Sequence, residues 1–202
     1  MGGHSAGEVA SRIAVDVVGR LYFESQGEWR SALVDAFQIA NAAILERSRQ
    51  SAELRNMGTT CTALAIRECS AWCAHAGDSR LYLLRKGEIY AMTEDHSEVM
   101  EKVRLGLLTL NEARRHEDRN VILRCLGSRA DLLLATWDEP LPVLSGDRFV
   151  LCSDGLYDIV DECEINEHAT ATEPFEAARR LIQLARDRGA PDNVTIAIVE
   201  LQ

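Results

Sequence analysis

The chain has 202 residues, enough for one domain with a full core or at most two small ones. An apolar share of 47% is ordinary for a soluble globular protein, and no apolar run reaches membrane-spanning length. The net charge of −10 argues against a general nucleic-acid or anionic-membrane binder, since both need basic surface. It agrees with carboxylates gathered around divalent cations, and equally with a solvated acidic surface.

Ser5 and Glu8 form a capping-box pattern, followed by Val9, Ile13, Val17 and Leu21 at four-residue spacing, which predicts a first helix. A second helix is expected over about 28–55, with Trp29, Leu33, Phe37 and Ile44 on its apolar side. At Met57-Gly58 the periodicity changes. Residues 59–66 and 70–76 read as strands joined by a charged turn at Arg67-Glu68, and 80–85 and 88–92 flank Lys86-Gly87 as a hairpin. Residues 98–118 are charged, with a capping box at Thr109 and Glu112 and a break at Gly106, and predict a small helical insertion on the surface.

A further strand is expected over 132–137, then a loop at Pro140 and Pro142. The run Phe149-Val150-Leu151 reads as a buried strand stopping at Ser153-Asp154-Gly155. Thr172-Glu173-Pro174 opens a last helix, with Phe175, Ala178, Leu181, Ile182 and Ala185 expected on its buried side and Gly189 at its end. An apolar strand over 194–201 is entered through Pro191-Asp192-Asn193. No repeat, low-complexity tract or linker interrupts this, so residues 1–202 read as one domain.

The six cysteines form no CxxC pair, and several lie in apolar strand-like runs, where a thiol behaves as a small hydrophobe. They are expected to be reduced, which with the lack of a signal peptide or lipidation motif predicts a cytoplasmic protein.

Asp78, Asp154 and Asp192 share a context: each sits at a strand edge beside Gly or Pro. Brought to one rim, three like charges would repel unless a cation compensated them, and all-oxygen ligation suits Mg²⁺ or Mn²⁺ over zinc. Spacing alone supports equally three unrelated turn aspartates, with Asp154 merely capping the segment after it.

Gly58-Thr59-Thr60, His75-Ala76-Gly77-Asp78-Ser79-Arg80, Thr93-Glu94-Asp95-His96-Ser97, Cys152-Ser153-Asp154-Gly155-Leu156 and Ala190-Pro191-Asp192-Asn193-Val194-Thr195 occur in the order found in the protein phosphatase 2C-like (PPM) family. The chain resembles its bacterial members from the first residue to the last strand. The resemblance implies an α+β fold, a four-layer αββα sandwich of two antiparallel sheets, here incomplete at the N-terminus. It implies hydrolysis of phosphoserine and phosphothreonine with two or three Mn²⁺ or Mg²⁺ ions through metal-activated water, with no protein side chain assigned as the catalyst. Asp154 is implied as a ligand of the binuclear centre, Asp192 as completing one of its metals, and Asp78 as a ligand of a third metal shared with Asp154. Asn193 is expected to orient Asp192 through its amide. The insertion at about 98–118 resembles the family's flap.

Met1-Gly2-Gly3-His4 matches the tail of the family's Asp-Gly-Met-Gly-Gly-His motif, whose Asp bridges both metals and is not in this sequence. The strands that precede the motif in the family, with a further acidic ligand and a phosphate-holding arginine, are not in it either. Three readings stay open: a start inside a longer reading frame or a shortened chain, a degenerate copy, or ligands recruited from a second chain. The gap makes turnover by this chain an open question, and the alternative function is a catalytically silent module that binds phosphoproteins or a partner. It also implies lower stability and self-association through exposed sheet edges. The expected partner is a phosphorylated protein of a Ser/Thr kinase system, with no nucleic acid and no membrane. His4 is expected in the second shell or at the surface, His75 as structural and His96 as fixing a loop. The resemblance assigns no metal to Asp95 or Asp158.

Overall fold

The computed structural model describes residues 5–202; Met1 to His4, and with them the motif remnant and His4, lie outside the described residues. Two long helices come first, α1 (Ser5–Glu24) and α2 (Trp29–Arg49). The Glu28 carboxylate caps α2 by accepting from the backbone N–H groups of Arg30 and Ser31. Instead of continuing to residue 55, α2 stops at Arg49, and Ser51 caps a separate 3-10 turn at Ala52–Leu54. A short polar side chain that captures the chain's own N–H groups competes with the helix there.

Which face of α1 is buried also departs from the pattern of large residues. Its core stripe is Ala6, Ala10, Ala14 and Val18, while Val9, Ile13, Val17 and Leu21 are only partly buried along its flank. Small side chains let α1 lie close on α2, where Ala36, Ala40, Phe37 and Ile44 are fully buried.

Strands β1 (Cys61–Arg67) and β2 (Ser70–Ala76) form an antiparallel hairpin turning at Glu68, which has positive φ. The chain then crosses to a second sheet through Gly77-Asp78-Ser79. Strands β3 (Arg80–Arg85) and β4 (Glu88–Ala91) are joined by Lys86-Gly87, both at positive φ as the tight hairpin turn requires. The 98–118 segment folds as helices α3 (Glu98–Arg104) and α4 (Leu110–Ala113), with Gly106 at positive φ between them and a capping box at Thr109 and Glu112. A 3-10 turn follows at Glu117–Asn120.

The strand expected over 132–137 shrinks to β5 (Ala135–Thr136), which pairs with β2. The proline loop contributes β6 (Leu141–Pro142), also paired with β2. Next come β7 (Arg148–Cys152), the single-turn helix α5 (Asp154–Tyr157), and α6 (Glu162–Thr170), which the sequence reading had not anticipated. Its signal was legible: Asp161 and Glu164 form a reciprocal capping box. Helix α7 (Pro174–Asp187) and strand β8 (Ile196–Glu200) close the fold. On α7 the buried residues are Ala177, Leu181 and Ala185, while Phe175 is 79% exposed, so the expected face was off by part of a turn at its start.

One sheet has the order β1-β2-β5 with β6 beside β2, and the other β4-β3-β7-β8. Alternation along the central strands divides the apolar residues into three cores. Trp72, Ala74 and Ala76 face α1 and α2. Ala71, Cys73, Leu81, Leu83 and Phe149 fill the space between the sheets. Tyr82, Leu84, Val150 and Cys152 face α5, α6 and α7. Strands buried on both faces, in two sheets between helix layers, make the αββα sandwich expected. Cys61, Cys69, Cys73, Cys152 and Cys163 are free thiols.

Candidate metal centre

Strand register builds this site. In the β3–β7 ladder Arg80 stands opposite Cys152. Asp78, two residues before Arg80 at the crossover between the sheets, and Asp154, two residues after Cys152 at the start of α5, therefore lie at the same end of the ladder, and both line one cavity. On the other side of β7, Cys152 stands opposite Ile196 of β8, which brings the Asp192 loop to the same end. Three aspartates distant in sequence thus share one rim of the sandwich.

Asp78 is only 7% exposed. Burial first, then the charges of Asp154 and Asp95, push its carboxyl up to about 6, and its own backbone N–H and Arg80 offset this only in part. Asp154 is likewise raised, chiefly by burial, with its bond from the Gly155 N–H (2.9 Å) opposing and the Asp192 charge adding to the rise. The pairs Asp78/Asp154 and Asp154/Asp192 therefore feel each other. Among the described residues no group of three or more His, Cys, Asp or Glu is gathered closely enough to hold a metal ion. The donor chemistry is that of a hard divalent cation, all oxygen and anionic, and these carboxylates fit part of such a shell.

The loops around them are tightly held. Gly77 has φ of 125°, and a Cβ there would collide with Thr60, which explains the pairing of the Gly-Thr-Thr and Gly-Asp-Ser motifs. Thr60 and Ser79 share a hydroxyl hydrogen bond of 2.9 Å. A Cβ on Gly155 would run into the Asn193 carbonyl, so glycine lets the Asp192 loop approach α5. Asn193 meets Asp192 through its backbone N–H, which donates to Asp192 Oδ1 at 2.7 Å. Ser153 ties the same loop down: its hydroxyl donates to the Asn193 carbonyl (3.2 Å) and accepts from the Thr195 N–H (3.1 Å).

His75 is buried, with Nδ1 2.8 Å from the Thr62 hydroxyl, and stacks on His96 with ring centroids 4.8 Å apart. His96 fixes its loop as expected. Its N–H donates to the Gly77 carbonyl (2.8 Å), and its Nδ1 accepts from the Gly77 N–H (3.2 Å). Asp95 receives a forked pair of bonds from Arg80, at 2.9 Å from Nε and 2.7 Å from Nη2. Asp158 lies 3.9 Å from Arg119. Sequence reasoning had given no role to Ser153, Arg80 or Tyr157; Ser153 and Arg80 stood inside quoted motifs, whereas nothing local marks Tyr157.

A cavity of about 780 Å³ opens over the rim. Its lining includes Asp78, Asp154 and Asp158, the basic Arg80, Arg114 and Arg119, and the apolar Val99, Met100 and Leu110 of the flap-like segment. Asp192 lies just outside, exposed, next to the lining Pro191.

Residues 1–192 match the family model described as Protein phosphatase 2C. The chain is 39% identical over 202 residues to the serine/threonine protein phosphatase PstP of Mycobacterium tuberculosis, covering all of this chain and 39% of that protein. It therefore spans about two fifths of that relative's length. It is 35% identical to protein phosphatase PhpP of Streptococcus pneumoniae, covering all of this chain and 82% of that protein. The crystal structure of M. tuberculosis PstP/Ppp superposes with a TM-score of 0.93 at 38% identity, over all of this chain and 85% of that one. A structure of the PstP catalytic domain in complex with two manganese ions gives a TM-score of 0.87 at 36% identity, over 100% and 85% of the two chains. The chain belongs to the protein phosphatase 2C family.

Proposed function

We propose that the chain is a metal-dependent protein serine/threonine phosphatase domain, hydrolysing phosphoserine and phosphothreonine with Mn²⁺ or Mg²⁺. The observation that carries this reading is that Asp154 and the buried Asp78 leave the β3–β7 ladder at the same end and line one cavity, in a sandwich that superposes on PstP. Two anionic carboxylates whose charge is disfavoured by burial and by each other are a site in need of a cation.

Asp78, Asp154 and Asp192 would hold the metal, with the Asn193 N–H orienting Asp192. When bound, divalent ions supply Lewis acidity toward the phosphoryl group and a nucleophile from water near neutral pH. The chain's own contribution is placement. Arg114 and Arg119 line the cavity and add positive charge toward an incoming phosphate, Arg119 while paired at 3.9 Å with Asp158. Arg80 lines it too, but is held by Asp95.

The same reading makes residues 1–202 one domain with a flap at about 98–118, acting on phosphoproteins of a Ser/Thr kinase signalling system. Its cytoplasmic location is supported by the free thiols of Cys61, Cys69, Cys73, Cys152 and Cys163. Self-association is supported by the outer edges of β1 and β8, which have no strand partner among the described residues.

The test is turnover of nitrophenyl phosphate and a phosphothreonine peptide with and without Mn²⁺. Metal-stimulated hydrolysis that is lost in Asp154→Asn supports the enzyme. Absence of stimulation, with Asp154→Asn indistinguishable from the parent, overturns it and leaves a silent binding module.

A further inference from the structure

Three consecutive carbonyls at the crossover between the sheets are each tied to a different element. The Gly77 carbonyl accepts from the His96 N–H at 2.8 Å. The Asp78 carbonyl accepts from the Tyr157 hydroxyl at 3.0 Å. The Ser79 carbonyl accepts from the Thr62 hydroxyl at 2.9 Å. Only the middle tie comes from the helix that carries the other carboxylate. Tyr157 ends α5, three residues after Asp154 at its start, so a single-turn helix joins the backbone of one candidate ligand to the side chain of the other.

Tyr157 is itself held in place. The Arg80 guanidinium lies over its ring, 3.6 Å from the centroid. Arg80 in turn is pinned by the fork to Asp95 and by a bond to the Tyr82 hydroxyl of 3.1 Å. With that cation on one face, the ring cannot swing away without breaking the stack, and the hydroxyl is aimed at Asp78.

We propose that Tyr157 is a positioning residue that sets the separation of Asp78 from Asp154 and thereby the affinity for a divalent cation between them. This rests on the reading that these two aspartates hold metal. Tyr157 touches neither substrate nor reacting atoms; it acts through the Asp78 backbone.

Mn²⁺ binding, followed by calorimetry and by the loss of the free-ion electron-spin-resonance signal, tests this in Tyr157→Phe, which keeps the ring and its stack on Arg80. One neutral hydrogen bond corresponds to a weakening of about 2- to 10-fold. The weakening is expected to vanish in the Asp78→Asn background, because the tie then has no carboxylate to place. Tyr82→Phe, which removes a hydroxyl from the same Arg80 network without touching Asp78, is expected to bind Mn²⁺ as the parent does.

Parental affinity in Tyr157→Phe overturns the proposal, even if metal-free stability falls, since that is what a merely structural hydroxyl would give. Equal weakening with and without Asp78 also overturns it. If the parent chain itself binds no Mn²⁺, the metal reading fails and this inference fails with it, a result distinct from a parent that binds and a variant that binds equally.

Discussion

Arg80 stands opposite Cys152 in the β3–β7 ladder, so Asp78, two residues before Arg80, and Asp154, two residues after Cys152, lie at the same end of the two strands. The carboxylates thus come to one cavity because two strands far apart in sequence are neighbours in one sheet. Asp154→Asn retains an oxygen to accept from the Gly155 N–H but halves the anionic pair. Metal-stimulated phosphatase activity is expected to fall by at least about 100-fold, while the metal-free protein melts no lower than the parent, because Asp154 is raised by burial and carries an unfavourable charge. Steady-state assays and calorimetric melting together check both halves.

Asp78 gives a pH signature. Its carboxyl is raised from 3.8 to about 6, so the folded state holds the proton more tightly than the unfolded chain. The stability it contributes is complete below pH 3.8 and is lost as pH rises through about 6. In the metal-free protein, Asp78→Asn is therefore expected to be more stable than the parent at pH 7.5, by up to about 3 kcal/mol, with the gap closing below pH 4. Urea unfolding across that range in the presence of chelator measures it, and a gap independent of pH would contradict the assignment.

The stacked pair of His75 and His96 has the opposite sign. His96 is pushed down to about 4 by burial, then by His75 and by Arg124, whose guanidinium lies 3.4 Å from its Nε2. His75 is lowered as well, chiefly by burial. A depressed histidine contributes stability that is complete above its ordinary 6.5 and is lost as pH falls through the folded value, about 4 for His96. Protonation at Nδ1 of His96 would also remove the acceptor of the Gly77 N–H. Acid unfolding midpoints are expected to fall between pH 6.5 and 4, and His96→Gln, which keeps an acceptor without a titrating ring, is expected to flatten that fall.

Gly155→Ala tests the close approach of the Asp192 loop. The new methyl group meets the Asn193 carbonyl, which is backbone and cannot rotate away. A loss of about 1–3 kcal/mol in stability is expected, along with weaker Mn²⁺ binding because Asp192 shifts with its neighbour. Thermal melts and metal titration check these separately.

Much of the local structure was legible from residues alone. The Thr109–Glu112 capping box, the Lys86-Gly87 turn and the strands at 70–76 and 80–85 are each read from a few adjacent side chains, and each is present. Where a reading failed, a competing local or tertiary effect decided. Ser51 ended α2 early, Phe175 was left outside because α7 buries the stripe Ala177-Leu181-Ala185, and α1 turned its alanines to the core to come close to α2.

By itself the sequence determined most of the elements and the aspartates worth watching, since periodicity, capping and turn chemistry act over a few residues, while the αββα class rested on the resemblance of its ordered motifs to the PPM family. Only the tertiary structure decided which strands are neighbours, and with that the shared cavity of Asp78 and Asp154, the Ser153 clamp on the Asp192 loop and the Tyr157 tie. Those contacts join residues about 40 to 80 positions apart. No local pattern specifies them, because their geometry follows from how the sheets and helices pack around three shared cores.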